Sequence, residues 1–289
     1  MNREIVKNWS NYQLIDCGNG RKLEKFGDYI LIRPEPQAIW LSSKSHDEWL
    51  KMAHAIFERE VNSPEKGTWK KLKPMKEQWF IDLKLKGKDL KFRLGMTSFK
   101  HVGLFPEQVA NWSYCADWIE KNPNTNVLNL FAYTGGASVA ARSAGATVTH
   151  VDSVKQVVTW ANENLVASNL DNVRWMVDDA FKFVQKEVRR KSVYQVIILD
   201  PPAYGRGPDG EKWILEDKIS ELIDMCVQIL DPEKHLLILN LYSMGYSATV
   251  AENLLTSFMK KSSISSGELC FEDQYQKLLP LGIFARAEK

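Results

Sequence analysis

The sequence predicts an α/β fold: a mainly parallel, doubly wound sheet preceded by a small, mainly β N-terminal domain. Three observations predict it. Residues 127–152, VLNLFAYTGGASVAARSAGATVTHVD, read as strand, glycine turn, helix, strand and acid. From there onward, short apolar runs alternate with helical stretches, the pattern of a mainly parallel sheet covered on both faces. Before residue 100 the pattern is instead period-two alternation broken by turn residues. The expected division is 1–100 for the mainly β domain and 101–289 for the α/β domain.

Composition narrows the class. A chain of 289 residues with 44% hydrophobic and 26% charged residues can build a full core. A net charge of +2 does not by itself announce a nucleic-acid partner. Cys17, Cys115, Cys226 and Cys270 are scattered without a C-x-x-C pair. That argues against a zinc site or a disulfide frame and for a reducing compartment. The opening MNREIVKNWS holds no apolar signal region, and no apolar run is long enough to span a membrane. The expectation is a cytoplasmic protein with no metal site.

Taken in order, residues 11–45 read as short strands and turns, with Asp28–Arg33 a strand ended by Pro34-Glu-Pro36. Ser45 is placed to cap a helix over Asp47–Glu60, whose apolar face would be Trp49, Leu50, Met52, Ala53, Ile56 and Phe57. Residues 64–100 carry eleven lysines and arginines against four acids. Within them Trp79, Ile81, Leu83 and Leu85 alternate with Phe80, Asp82, Lys84 and Lys86, and Leu90, Phe92 and Leu94 continue the alternation beyond Gly87-Lys88. This is a β-hairpin with one basic face. Such a face either keeps an edge soluble or meets RNA phosphates.

Phe99–Gln108 leads into a helix with Pro106 near its first turn. Val127, Leu128, Leu130 and Phe131 then form a buried strand, followed by Tyr133-Thr134-Gly135-Gly136, where glycine lets backbone pass a ligand closely. Ala137–Ser143 is helical, with Gly145 its stop, and Thr147–Val151 is a strand ending in Asp152. A helix follows over Val154–Leu165, then a strand Val173–Val177 with Asp178 and Asp179 after it. Either acid can cap the next helix, with Asp178 expected nearer the cap. Val196–Leu199 is a further strand, ending in Asp200-Pro201-Pro202-Ala203-Tyr204. The polar loop Tyr204–Gly210 reads as a mobile lid before a helix from about Lys212 to Leu230. Leu236–Leu241 is the fifth strand, Ala248–Lys260 a helix, and Ile264–Phe271 with Leu279–Arg286 a closing pair of strands.

The chemistry follows from where strands end. A glycine turn and an acid at the carboxyl ends of adjacent strands suit a nucleoside-bearing cofactor, with backbone N–H groups facing its anionic part and the acid its ribose. A dinucleotide fingerprint wants G-x-G-x-x-G, and the turn offers only Gly135-Gly136. The loop Asp200–Tyr204 supplies a rigid acceptor and an aromatic face, suited to holding a planar amine or base.

The ordered set N-L-F-A-Y-T-G-G and D-P-P, at residues 129–136 and 200–202, resembles the class I S-adenosylmethionine-dependent methyltransferases. More narrowly, it resembles the large-subunit (23S) ribosomal RNA methyltransferase group, from Phe99 to about Tyr204. The resemblance implies a Rossmann-like class I methyltransferase sheet, S-adenosyl-L-methionine as cofactor and a base in RNA, ribosomal RNA in that group, as substrate. It also implies site residues. His101, Gly103, Phe105 and Gln108 would neighbour the cofactor, together with Tyr133, Thr134, Gly135, Gly136, Asp152, Ser153, Asn164, Asp179 and Ala180. Asp200 and Pro201 would orient the acceptor, and Tyr204 would stack on it. Members that methylate carbon 5 of a pyrimidine carry a cysteine after the fifth strand. Here that place is Asn240-Leu-Tyr-Ser243, so a nitrogen acceptor is expected, and Cys226 reads as a packed helix residue. Beside such a core the basic 64–100 segment reads as an RNA grip. A small-molecule or protein methyltransferase, a cofactor-binding RNA module with little catalysis and an NAD oxidoreductase are the alternatives that the residues leave open.

Overall fold

A computed structural model describes residues 2–7, 9–60, 66–242 and 245–289. It divides into two compact units. The first holds residues 1–4, 108–269 and 281–289, and the second holds residues 5–107 and 270–280.

In chain order the elements of the N-terminal stretch are β1 (Asn2–Ile5), β2 (Tyr12–Gly18), β3 (Arg21–Phe26), β4 (Tyr29–Pro34), α1 (His46–Met52), β5 (Ala55–Arg59), β6 (Gly67–Lys71), β7 (Gln78–Leu85) and β8 (Lys88–Gly95). β2 to β6 form a five-stranded sheet in sequence order, and β7–β8 form a separate hairpin. Ser45 does cap α1, in a reciprocal box with Glu48. The helix expected to run to Glu60 stops at Met52, however, and Ala55–Arg59 is a strand between β4 and β6. The β-branched and aromatic run Ile56-Phe57 favours a half-buried pleat, and pairing in the sheet overrides the helical spacing. Ile15, Leu23, Ile32, Trp49 and Ile56 close this core.

The hairpin alternates as its sequence does. Trp79, Ile81, Leu83, Leu85, Leu90, Phe92 and Leu94 are buried. Phe80, Lys84, Lys86, Lys88 and Lys91 are exposed. Its two-residue turn is Lys86-Gly87, both left-handed at φ 48° and 77°, the geometry that matches strand twist.

The remaining elements are α2 (Val109–Lys121), β9 (Asn126–Leu130), α3 (Gly136–Ser143), β10 (Thr147–Asp152), α4 (Lys155–Ala167), β11 (Val173–Val177), α5 (Ala180–Arg190), β12 (Val196–Leu199), β13 (Tyr204–Arg206), β14 (Lys212–Ile214), α6 (Leu215–Gln228), β15 (Leu236–Leu241), α7 (Ala248–Phe258), β16 (Ser263–Glu272) and β17 (Leu278–Glu288). The eight-stranded sheet runs β1-β16-β17-β15-β12-β9-β10-β11. β15, β12, β9, β10 and β11 are parallel neighbours, and β17 returns antiparallel to β15.

Successive strand residues face opposite layers. Leu128, Leu130, Ile197, Leu199, Leu237 and Leu239 pack with Phe183, Val184, Ile219, Leu222 and Leu255 of α5, α6 and α7. Val127, Val148, Val196, Ile198, Leu236 and Ile238 pack with Cys115, Trp118, Ile119 and Ala141 of α2 and α3. Central strands buried on both faces explain the unbroken apolar runs.

Candidate active site

The parallel strands end together at one edge of the sheet, and β9 ends at Leu130. After it Phe131, Tyr133 and Gly135 all take left-handed backbone, at φ 55°, 49° and 81°. Bulky residues adopt this conformation only under constraint. The constraints are the hydrogen bonds Ala132 N–H to Val151 O (3.1 Å) and Gly135 N–H to Ala132 O (3.0 Å). Tyr133 N–H donates to Asp152 Oδ2 at 2.8 Å, and the buried Asn164 donates to Thr134 O at 2.9 Å. Beneath the turn, Asn129 donates to Ser138 Oγ (2.9 Å), which lies 3.0 Å from His150 Nδ1. Burial pushes His150 down to about 3, so the imidazole is neutral.

The glycines have a second reason beyond ligand approach. A Cβ on Gly135 would sit 2.8 Å from Ala161 Cβ, and one on Gly136 would sit 2.3 Å from the Trp112 ring. Helices α4 and α2 fill the space that a side chain would need. Gly135 caps α3 without a side-chain bond, so no capping side chain shields the positive end of that helix.

Asp152 closes β10. Its Oδ1 accepts Val154 N–H at 2.9 Å, while Oδ2 holds the turn. Burial raises its pKa against the lowering effect of these backbone bonds. About four lone-pair sites against the backbone donors Tyr133, Val154 and Ser153 leave room for a hydroxyl. Ser153 follows, half-buried. At the end of β11 the expected order of the two acids is reversed. Asp179, not Asp178, caps α5 by accepting Lys182 N–H at 2.9 Å, and Asp178 pairs with Lys186 at 2.6 Å. Asp179 has the extended backbone a cap requires, and the buried Ala180 starts the helix.

Leu199 pairs with Leu130, so Asp200 emerges beside the turn. Asp200 is half-buried, Pro201 buried and Tyr204 exposed. The segment expected as an irregular polar loop forms the hairpin β13–β14, and α6 begins at Leu215 rather than near Lys212. Trp213 Nε1 donates to Pro202 O at 2.7 Å, and Leu215 N–H donates to Ala203 O at 3.0 Å. The Trp213 ring also packs on Phe131 at 4.8 Å. An indole held by its N–H and packed on Phe131 ties this segment to the strand ends.

Asp152, Ser153, Asn164, Asp179, Ala180, Asp200, Pro201, Tyr204 and the Tyr133–Gly136 turn therefore belong to one unit, as does Gln108 at the start of α2. His101, Gly103 and Phe105 belong to the second unit, where the His101 and Phe105 rings lie 4.9 Å apart. Cys226 is fully buried on α6, and burial raises its thiol pKa, as expected of an inert cysteine. Of the place after the fifth strand, Asn240 to Tyr242 are described and Ser243 lies outside the described residues. Sequence reasoning missed Asn111, Arg286 and Glu4. Arg286 donates to both Asn111 and Glu4, and Asn111 bonds both Gln108 and Asn240. No spacing links residues so far apart in the chain.

The profile of the S-adenosylmethionine-dependent methyltransferases matches residues 31–252. The chain belongs to this family. The SAM-dependent methyltransferase of Agrobacterium tumefaciens is 37% identical and covers 100% of this chain and 93% of its own, with a TM-score of 0.92. The ribosomal RNA large subunit methyltransferase K/L of Shewanella frigidimarina is 30% identical over 154 residues, 52% of this chain and 21% of its own length. That of Pseudoalteromonas atlantica is 23% identical over 279 residues, 89% of this chain and 36% of its own. The methyltransferase thus spans about a fifth to a third of the curated relatives it matches.

The residues fit the cofactor of this family. One open helix N-terminus and one hydrogen-bonded acid at adjacent strand ends suit a single nucleoside with one small anionic group. No helix among the described residues is long and apolar enough to cross a membrane.

Proposed function

We propose that this methyltransferase transfers a methyl group from S-adenosylmethionine to a base nitrogen in ribosomal RNA. The observation that carries the reading is the juxtaposition of the Tyr133–Gly136 turn and Asp152 with the Asp200–Tyr204 loop at neighbouring strand ends. Asp152 would accept the ribose hydroxyls, the turn would face the amino-acid end, and Asp179 would take the adenine amino group through the oxygen not used in capping. Gln108, in the same unit, would line that cofactor. S-adenosylmethionine supplies an already activated methyl on a sulfonium. The chain's task is therefore alignment and exclusion of water.

Asp200 and the Pro201 backbone would accept the hydrogens of a base amino group and aim its lone pair. Tyr204, exposed beside them, would stack on an unpaired base. The buried thiol of Cys226 and the Asn240-Leu241-Tyr242 run support nitrogen over a pyrimidine carbon. Support for RNA comes from the relatives' names and from Lys84, Lys86, Lys88 and Lys91, exposed on the hairpin of a mainly β N-terminal domain over 1–100. A cytoplasmic location accords with that substrate. The test is mass mapping of ribosomal RNA from a strain lacking the gene, with methylation restored in vitro by the purified chain. Fully modified RNA in that strain would refute the substrate.

A further inference from the structure

Arg286 on β17 is 2% exposed, yet it carries a full charge. Its guanidinium lies between the Tyr114 and Phe284 rings, 4.2 Å from each centroid. It holds Glu4 of β1 in a two-point pair at 2.6 and 2.7 Å. Its Nε and one Nη also donate to Asn111 Oδ1 at 2.8 and 2.6 Å. Arginine has no acceptor atom. Asn111 must therefore turn its oxygen to Arg286 and its NH2 the other way. That NH2 donates to Asn240 Oδ1 at 2.5 Å and to Gln108 Oε1 at 3.1 Å. The same logic now fixes both of these amides: each gives its oxygen to Asn111 and keeps its NH2 for another acceptor.

The two ends of this chain of bonds have meaningful addresses. Leu239 pairs with Leu199, so Asn240 stands level with Asp200 at the head of the parallel strands. Gln108 stands at the start of α2, whose Trp112 packs against Gly136 of the cofactor turn. An ion pair with only Arg286 buried and Glu4 at 35% exposure is a weak stabiliser. What apolar residues could not do is orient two amides. We propose that Glu4, Arg286 and Asn111 form a positioning network that presents the NH2 groups of Asn240 and Gln108 as hydrogen-bond donors at the methyl-transfer site. Their ligand is an acceptor oxygen or nitrogen, from the cofactor's carboxylate or from the base. The inference rests on the methyltransferase reading of this site and not on ribosomal RNA as the substrate.

Asn111→Asp tests it. The carboxylate keeps its bonds to Arg286 but offers Asn240 and Gln108 an acceptor in place of a donor, so both amides flip and present oxygen. Calorimetry of S-adenosylmethionine binding and single-turnover methyl transfer are measured beside thermal unfolding, with Glu4→Gln as a second variant that leaves every site residue in place. The expected result is a fall of about tenfold or more in one step for Asn111→Asp, a smaller fall in the same step for Glu4→Gln, and side-chain NH2 resonances of Asn240 and Gln108 shifted in both. Weakened cofactor binding assigns the acceptor to the cofactor. Unchanged binding with slowed transfer assigns it to the substrate. Folded variants with wild-type binding, transfer and resonances would overturn the network. An unfolded Asn111→Asp with a folded, fully active Glu4→Gln would do the same. Wild-type protein that binds the cofactor but leaves RNA unmethylated would refute the RNA substrate alone, and the calorimetric arm would still decide the network.

Discussion

The carboxylate of Asp152 accepts the main-chain N–H of Tyr133 at 2.8 Å, so the acid that ends β10 also holds the strained turn that ends β9. Asp152→Ala removes a turn anchor and, on the proposed reading, an acceptor for the cofactor. We expect S-adenosylmethionine binding to weaken by about 1.5–3 kcal/mol, as for hydrogen bonds to a charged group. Asp152→Asn, with one acceptor oxygen left, should lose less. Calorimetry checks both, and a wild-type protein that took NADH and ignored S-adenosylmethionine would sink the cofactor reading.

Gly136→Ala should destabilise the fold before it touches chemistry. The added methyl would meet the Trp112 ring at 2.3 Å, and that ring is itself buried. Overpacking of this kind costs about 1–3 kcal/mol. The urea midpoint, followed by tryptophan fluorescence, reads it. An unchanged midpoint would mean that α2 moves freely against the turn.

If the hairpin lysines meet phosphates, RNA affinity should fall steeply with salt. Replacing Lys84, Lys86 and Lys88 together by glutamine should flatten that slope and leave cofactor affinity unchanged. The same slope in the triple variant would move the RNA surface elsewhere.

Asp200→Ala should lower turnover at least about tenfold while the cofactor still binds, the mark of lost orientation. Cys226→Ser should stay active, because burial holds that thiol protonated. A covalent adduct with 5-fluorocytidine RNA that Cys226→Ser abolished would make the helix cysteine a nucleophile and the acceptor a carbon.

The second unit should titrate in two opposing ways. Burial pushes Glu107 up to about 7, against the pull of Lys22 and Arg33. Its folded pKa exceeds the ordinary 4.5, so the native state keeps a proton that the unfolded chain releases. Stability from this group falls as pH rises from about 4.5 to about 7, by at most roughly 3–4 kcal/mol. Glu24 is opposite: despite burial, Arg33 and Lys22 hold it at about 2. Its contribution is present above 4.5 and is lost as pH falls toward 2. Glu107→Gln should abolish the decline between pH 4.5 and 7. Denaturant unfolding at pH 5 and 8 checks it, and an unchanged difference would place the titration in another group.

The sequence by itself determined the strand–turn–helix–strand unit at 127–152, the D-P-P loop and the β7–β8 hairpin. In each, a local rule suffices: unbroken apolar runs mark strands buried on both faces, and strict alternation marks a half-buried pleat. The fates of Ala55–Arg59, Tyr204–Ile214 and the Asp178-Asp179 pair were decided only in three dimensions. Sheet pairing beside β4 and β6 drew the first from helix to strand, and Trp213 reaching Pro202 O made the second an anchored hairpin. The third turned on which acid takes the extended backbone before α5. The bonds among Glu4, Arg286, Asn111 and Asn240 were the least legible of all. They join the two ends of the chain to its middle, and a hydrogen bond depends on where the closed sheet brings its donor and acceptor, not on their separation in sequence.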